Sequence, residues 1–167
     1  MLDSQLEVVQ QAKQFLSGLH IEEYTTTVKP HFSASAAVHM RHVLDHYFAL
    51  MAGLDEGVVN YNIRNRFSDT ENCPKLALDA WVKVEQGLLT ICKRPLDLKL
   101  HVISETSVSR THIAKVSSTL ARELVFVSSH AIHHFSLIAV MRSLQGKSTA
   151  DQFGIAPATA TFIQKRA

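Results

Sequence analysis

Thr119–Gly146 reads TLARELVFVSSHAIHHFSLIAVMRSLQG, a long apolar-rich run that carries His130, His133 and His134. Successive residues of a helix turn by about 100°, so Glu123, Val127, His130, His134, Leu137 and Met141 fall in one stripe. Val127, Leu137 and Met141 turn that stripe toward a core. It therefore takes two imidazoles and a carboxylate into an apolar wall, where each unsatisfied polar group costs about 2–7 kcal/mol. A divalent cation satisfies all three at once; hydrogen bonds to the backbone or to Glu123 are the alternative. Histidines at i and i+4 stack one turn apart, and their ring nitrogens can converge on one ion at about 2.0–2.1 Å. His133 points elsewhere. The run predicts a buried helix with a metal site that needs a third ligand from another element.

The second long helix is expected over Ala34 to Ala52, ending at Gly53, with Ser33 or Ser35 as its cap. It contains HMRHVLDHYFAL, in which His39, His42 and His46 lie within about 60° of one another. Each can supply the third ligand. His46 and His39 sit nearer than His42 to the centre of the face formed by Val43, Leu50 and Leu54, so periodicity does not choose.

The other elements carry less chemistry. Leu2 to Leu19 reads as a first helix, followed by a loop from His20 to His31. Leu54 to Asn72 reads as a connection, and its segment YNIRNRF sets Tyr61, Arg64 and Arg66 together. Two guanidiniums beside a tyrosine suit a carboxylate or phosphate; pairing with Asp69, Glu71 or exposed carbonyls is the competing role. Asn72 and Pro74 open a third helix that runs to about Cys92. In LDLKLHVIS, Leu96, Leu98, Leu100 and Val102 alternate with Asp97, Lys99 and His101, which is a strand, and Ser109 to Val116 can pair with it across Glu105 to Val108. His101 and His112 are expected at the surface. Ser117 or Ser118 is expected to cap the central helix, and Pro157 to begin a short final helix over Ala158 to Lys165.

With 167 residues the chain is one domain, 1–167, long enough for a full core. A net charge of +2 and the absence of a basic block with interleaved aromatics exclude nucleic acid as the expected partner. MLDSQLEVVQQAKQ is acidic and polar where a signal peptide is basic and then apolar, and no run of eighteen apolar residues occurs, so the expectation is a cytoplasmic protein without membrane attachment. Cys73 and Cys92 form neither a CxxC pair nor a disulfide framework.

HVLD, from His42 to Asp45, and SHAIHH, from Ser129 to His134, resemble the DinB/YfiT-like superfamily of metal-binding four-helix bundles, and the resemblance covers nearly the whole chain. It implies an all-α fold: a four-helix bundle with a small β-hairpin between the third and fourth long helices and a short C-terminal helix. It implies a metal held by one histidine of the second helix and an HxxxH pair of the last, which are His42, His130 and His134. A Gly-Gln segment often follows the last ligand in that family; here Phe135-Ser136-Leu137 stands there.

Three neutral imidazoles leave a coordination position open, and nitrogen ligands suit zinc, nickel or iron. Glu123 is the candidate catalytic residue, by proton transfer or by orienting a ligand, and Asp45 the other candidate for holding a ligand imidazole. The resemblance implies an enzyme acting on a small-molecule substrate: a transferase in which the metal activates a small thiol cosubstrate, or a hydrolase. Tyr61, Arg64, Arg66 and Arg122 would then hold an anionic cosubstrate. The alternative is a non-catalytic metal-binding or stress-response protein. Pairing as a homodimer along an exposed apolar helix face is the oligomer that bundles of this type suggest.

Overall fold

Gly53 fixes how sheet and helices meet. A Cβ there would lie 2.3 Å from the Val58 carbonyl oxygen, so only glycine lets the end of the second long helix touch the strand that follows. The computed structural model describes residues 1–166. Among them are α1 (Leu2–Leu16), α2 (Ile21–Thr25), α3 (Ala36–Gly53), β1 (Val58–Asn60), α4 (Pro74–Ile91), β2 (Lys99–Glu105), β3 (Ile113–Thr119), α5 (Leu120–Leu144) and α6 (Pro157–Gln164), with a 3-10 turn at Asp69–Glu71.

The strands form one sheet in the order β1-β2-β3. β2 and β3 are an antiparallel hairpin with Lys99 opposite Thr119 and Glu105 opposite Ile113, while β1 pairs parallel with β2 at Val58–His101, Val59–Val102 and Asn60–Ile103. Six α-helices with a three-stranded mixed sheet make the chain mixed α/β, which corrects the expected all-α four-helix bundle. The hairpin expected from the LDLKLHVIS alternation is present, but β1 joins it. Val59, Leu100 and Val102 enter the core from the sheet, so the sheet is a packed layer. β1 escaped the sequence because three residues, VVN, are too few to show a period, and a parallel partner forty residues away leaves no local turn signal.

α1 packs on α4 and α5, and α3 packs on both α4 and α5. Trp81 of α4 and Tyr47 of α3 are fully buried, their rings edge-on at 5.4 Å. Phe153, in the loop after α5, stacks between Phe15 and Phe135 at 4.9 and 5.0 Å. α5 is long and apolar enough to cross a membrane by length and composition; in this fold its Leu124, Val127, Ala131, Phe135 and Ile138 are buried in the core.

Local boundaries follow caps. Ser35 accepts from the Val38 amide and starts α3. Thr119 accepts from the Arg122 amide, so β3 passes into α5 with no loop and the cap falls one residue after the two serines expected. Cys73, not Asn72, precedes α4, with Pro74 at its first position. Tyr24 draws the expected loop after α1 into the short helix α2 by burying its ring and donating to the Thr70 carbonyl at 2.8 Å.

Candidate metal centre

α3 and α5 lie side by side, and their histidines meet between them. Ring centroids of His46 and His130 are 4.1 Å apart, His130 and His134 4.5 Å, His42 and His46 4.7 Å, His42 and His134 4.8 Å, and His42 and His130 4.9 Å. His42, His46 and His130 offer nitrogen atoms that all lie within 4.8 Å of one another. Nitrogens bound to one tetrahedral ion at about 2.05 Å stand about 3.3 Å apart, so modest side-chain rotations would close this trio. The trio shares His42 and His130 with the set implied by the resemblance, and takes His46 where that set has His134.

The hydrogen bonds say which nitrogens are free. His46 Nδ1 lies 2.9 Å from the His42 carbonyl, which can only accept; its Nδ1 therefore carries the proton and Nε2 keeps its lone pair. His130 Nε2 is buried without any partner. His39 Nδ1 and His134 Nδ1 are 2.8 Å apart, so one donates to the other. If His134 donates, its Nε2 lone pair is free for a ligand role and His39 becomes the group that orients it. His39 Nε2 is buried and unpartnered whichever of the two donates. An all-nitrogen donor set with an orphaned buried nitrogen fits a divalent transition metal.

Charge balance favours the same state. Burial, then the neighbouring imidazoles, push His42 down to about 2. His130 and His134 are each pushed down to about 3, again by burial first and then by other histidines. Burial lowers His39 and His46 too, against the hydrogen bond to the His42 carbonyl that raises His46. The positive charge of Arg64 adds to the depression at His42, His46 and His130. Neutral imidazoles are the form that ligates. His133 is exposed, its ring 5.1 Å from that of His134.

The remaining candidates do not all converge on the imidazoles: Tyr61, Arg122 and Glu123 border a concavity against β2 and β3. Arg64 donates to the Tyr61 and Ile63 carbonyls, which holds it beside the histidines. Arg66 is exposed on the loop, and Arg122 is exposed on α5 with its guanidinium 5.7 Å from the centre of the Phe126 ring. Asp45 is buried, but it accepts from Arg41 at 2.5 Å and from the Asn65 amide at 3.3 Å, and Arg41 also reaches Glu71 at 2.6 Å. It thus clamps the 61–67 loop onto α3; its effect on His46 is through charge. Glu123 accepts from the Tyr61 hydroxyl at 2.7 Å and from Ser118 at 2.5 Å. The Tyr61 ring stacks on His46 at 5.2 Å, so Glu123 meets the centre through Tyr61. Tyr61 is strongly held in its neutral form by burial and by the carboxylate it donates to.

Two further participants, His46 and Phe126, differ in how far the sequence shows them. The position of His46 near the middle of the apolar face is a usable signal, and it agrees with the convergent trio. Phe126 is not: it walls the imidazoles at 5.8 Å from His130 and 5.9 Å from His46, yet reads as an ordinary core residue.

No protein-family model matches the chain. Among curated proteins it is similar to FK506-binding protein 5 of Rhizopus delemar, with 32% identity over 109 residues. The match covers 65% of this chain and 28% of that protein, so the chain spans much less than two thirds of that relative's length.

Proposed function

We propose that the protein binds one divalent transition metal, zinc, nickel or iron, through His42, His130 and a third imidazole, in the manner of the DinB/YfiT-like proteins its motifs resemble, and that it is a metal-dependent enzyme. The observation that carries the reading is the meeting of neutral imidazoles from two helices, with His130 Nε2 buried and unpartnered. Leaving that nitrogen bare costs about 1–3 kcal/mol, which a ligand bond removes. When bound, such an ion makes a coordinated water or thiol nucleophilic at neutral pH, so transfer to a small thiol or hydrolysis is the reaction class.

The chain's own groups have distinct parts in this reading. His42 and His130 are half-buried, and the reading requires a small substrate to approach from the solvent side of these two rings. Arg64, fixed beside the imidazoles by backbone carbonyls, offers the charge that would hold an anionic group there. Arg66 and Arg122 are both exposed, and Arg122 lies over the Phe126 ring. His39 orients His134 by the Nδ1–Nδ1 hydrogen bond. Tyr61 and Phe126 exclude water from one side. The FK506 in the relative's name is not carried to this chain, given the small share of that protein that is matched.

Elemental analysis of protein purified without an affinity tag or chelator tests the reading, with His130→Ala as control. About one metal per chain, lost in the control, is the expected result. No metal and no uptake of zinc, nickel or iron would assign the imidazoles a purely structural role.

A further inference from the structure

A concavity lies beside Tyr61 and Phe126, between the β2–β3 hairpin and the first turn of α5. It measures about 250 Å³ and is bordered by Tyr61, Val102, Ser118, Arg122, Glu123 and Phe126, among others. Glu123 is 4% exposed, a buried carboxylate on the cavity wall. Its two donors, Tyr61 and Ser118, are neutral hydroxyls. A carboxylate offers about four lone-pair sites, so two remain. None of the ion pairs among the described residues includes it.

Arg122 is the complementary case. Its guanidinium borders the same cavity over the Phe126 ring, and no ion pair among the described residues includes it either. Arg122 and Glu123 border the same cavity yet form no ion pair with one another. The cavity thus has a negative group deep in its wall, a positive group at its rim, hydroxyls beside the first and an aromatic face between them.

We propose that this cavity binds a small zwitterion, a free amino acid, whose ammonium meets Glu123 and Ser118 and whose carboxylate meets Arg122. The size agrees: about 250 Å³ falls just under the usual range of ligand pockets, which suits a single amino acid and not a peptide. Val102 and Phe126 offer apolar contact to its side chain. The site shares the rings of Tyr61 and Phe126 with the imidazole cluster, but no imidazole borders it and the proposal does not rest on the metal reading.

The test is a screen of the standard amino acids against the intact protein by thermal shift and ligand-observed NMR. For the best binder, the carboxylic acid lacking the amine and the amine lacking the carboxylate are then compared. At least one amino acid should bind. Each single-charge analogue, and each of Glu123→Gln and Arg122→Gln, should weaken binding about tenfold or more, the effect of one lost charge-assisted contact. If Glu123→Gln does not fold, Arg122→Gln, at an exposed position, decides. His130→Ala should retain the binding, which separates this site from the metal centre. No binding at about 10 mM, affinity unchanged in the variants, or loss of binding in His130→Ala would each overturn the proposal.

Discussion

Replacing His130 by alanine separates a ligand from a structural core residue, because the two roles predict opposite results for metal and fold. Metal-binding energies of about 10–16 kcal/mol for four protein ligands correspond to about 3 kcal/mol per ligand. One lost imidazole should therefore weaken binding about a hundredfold or more. In the metal-free protein the same change has two opposed effects. It removes a buried Nε2 that has no hydrogen-bond partner, which returns about 1–3 kcal/mol. It also deletes a half-buried ring that lies against His46 and Phe126, which costs a similar amount. The net should stay within about 1–2 kcal/mol, or about 2–6 °C in the Tm of the metal-free protein. Competition against a chromophoric chelator gives the affinity, and circular dichroism of the stripped protein gives the Tm. Metal affinity within threefold of the original, or a metal-free protein that no longer folds, would refute the assignment of His130 as a ligand.

The third ligand is decided by comparing His46→Ala with His134→Ala: the convergent trio predicts the larger loss in His46→Ala, the family resemblance the larger loss in His134→Ala, and equal small losses would rule out both sets. Metal-free protein should lose stability as pH falls below about 6.5, because the unfolded chain takes up protons there while the folded imidazoles, pushed down to about 2 or 3, do not. A fully protected imidazole contributes about 1.4 kcal/mol per pH unit; discounting for solvent screening at the half-buried His42 and His130 rings, a total slope of about 1–2 kcal/mol per unit between pH 6.5 and 5 is expected from urea unfolding, and a flat profile would contradict it. Gly154→Ala should lower Tm by about 5–15 °C without changing metal affinity, since φ at Gly154 is +73° and a Cβ there would lie 2.4 Å from the Ser136 amide nitrogen. A neutral result would mean that the loop seating Phe153 can shift at little cost.

The imidazoles that meet between α3 and α5 could be placed on helix faces from the sequence because helical spacing is a local property. Of the expected stripe, Glu123, Val127, His134 and Met141 are buried and His130 and Leu137 are half-buried, as 3.6 residues per turn sets them along one side of the helix. Alternation in LDLKLHVIS likewise placed β2, with Leu100 and Val102 inward and His101 outward. Spacing also brought His39, His42 and His46 to one face, and there its power ended. Which of them meets His130 depends on how α3 and α5 cross and on side-chain rotamers, and those follow from packing. Only the folded chain pairs His39 with His134, lays Tyr61 on His46, and turns Asp45 to Arg41 and the loop and away from the imidazoles. The same limit explains the fold class. β1 exists because Gly53 lets Val58–Asn60 lie beside a strand some forty residues later, and a pairing between distant segments leaves no period in either.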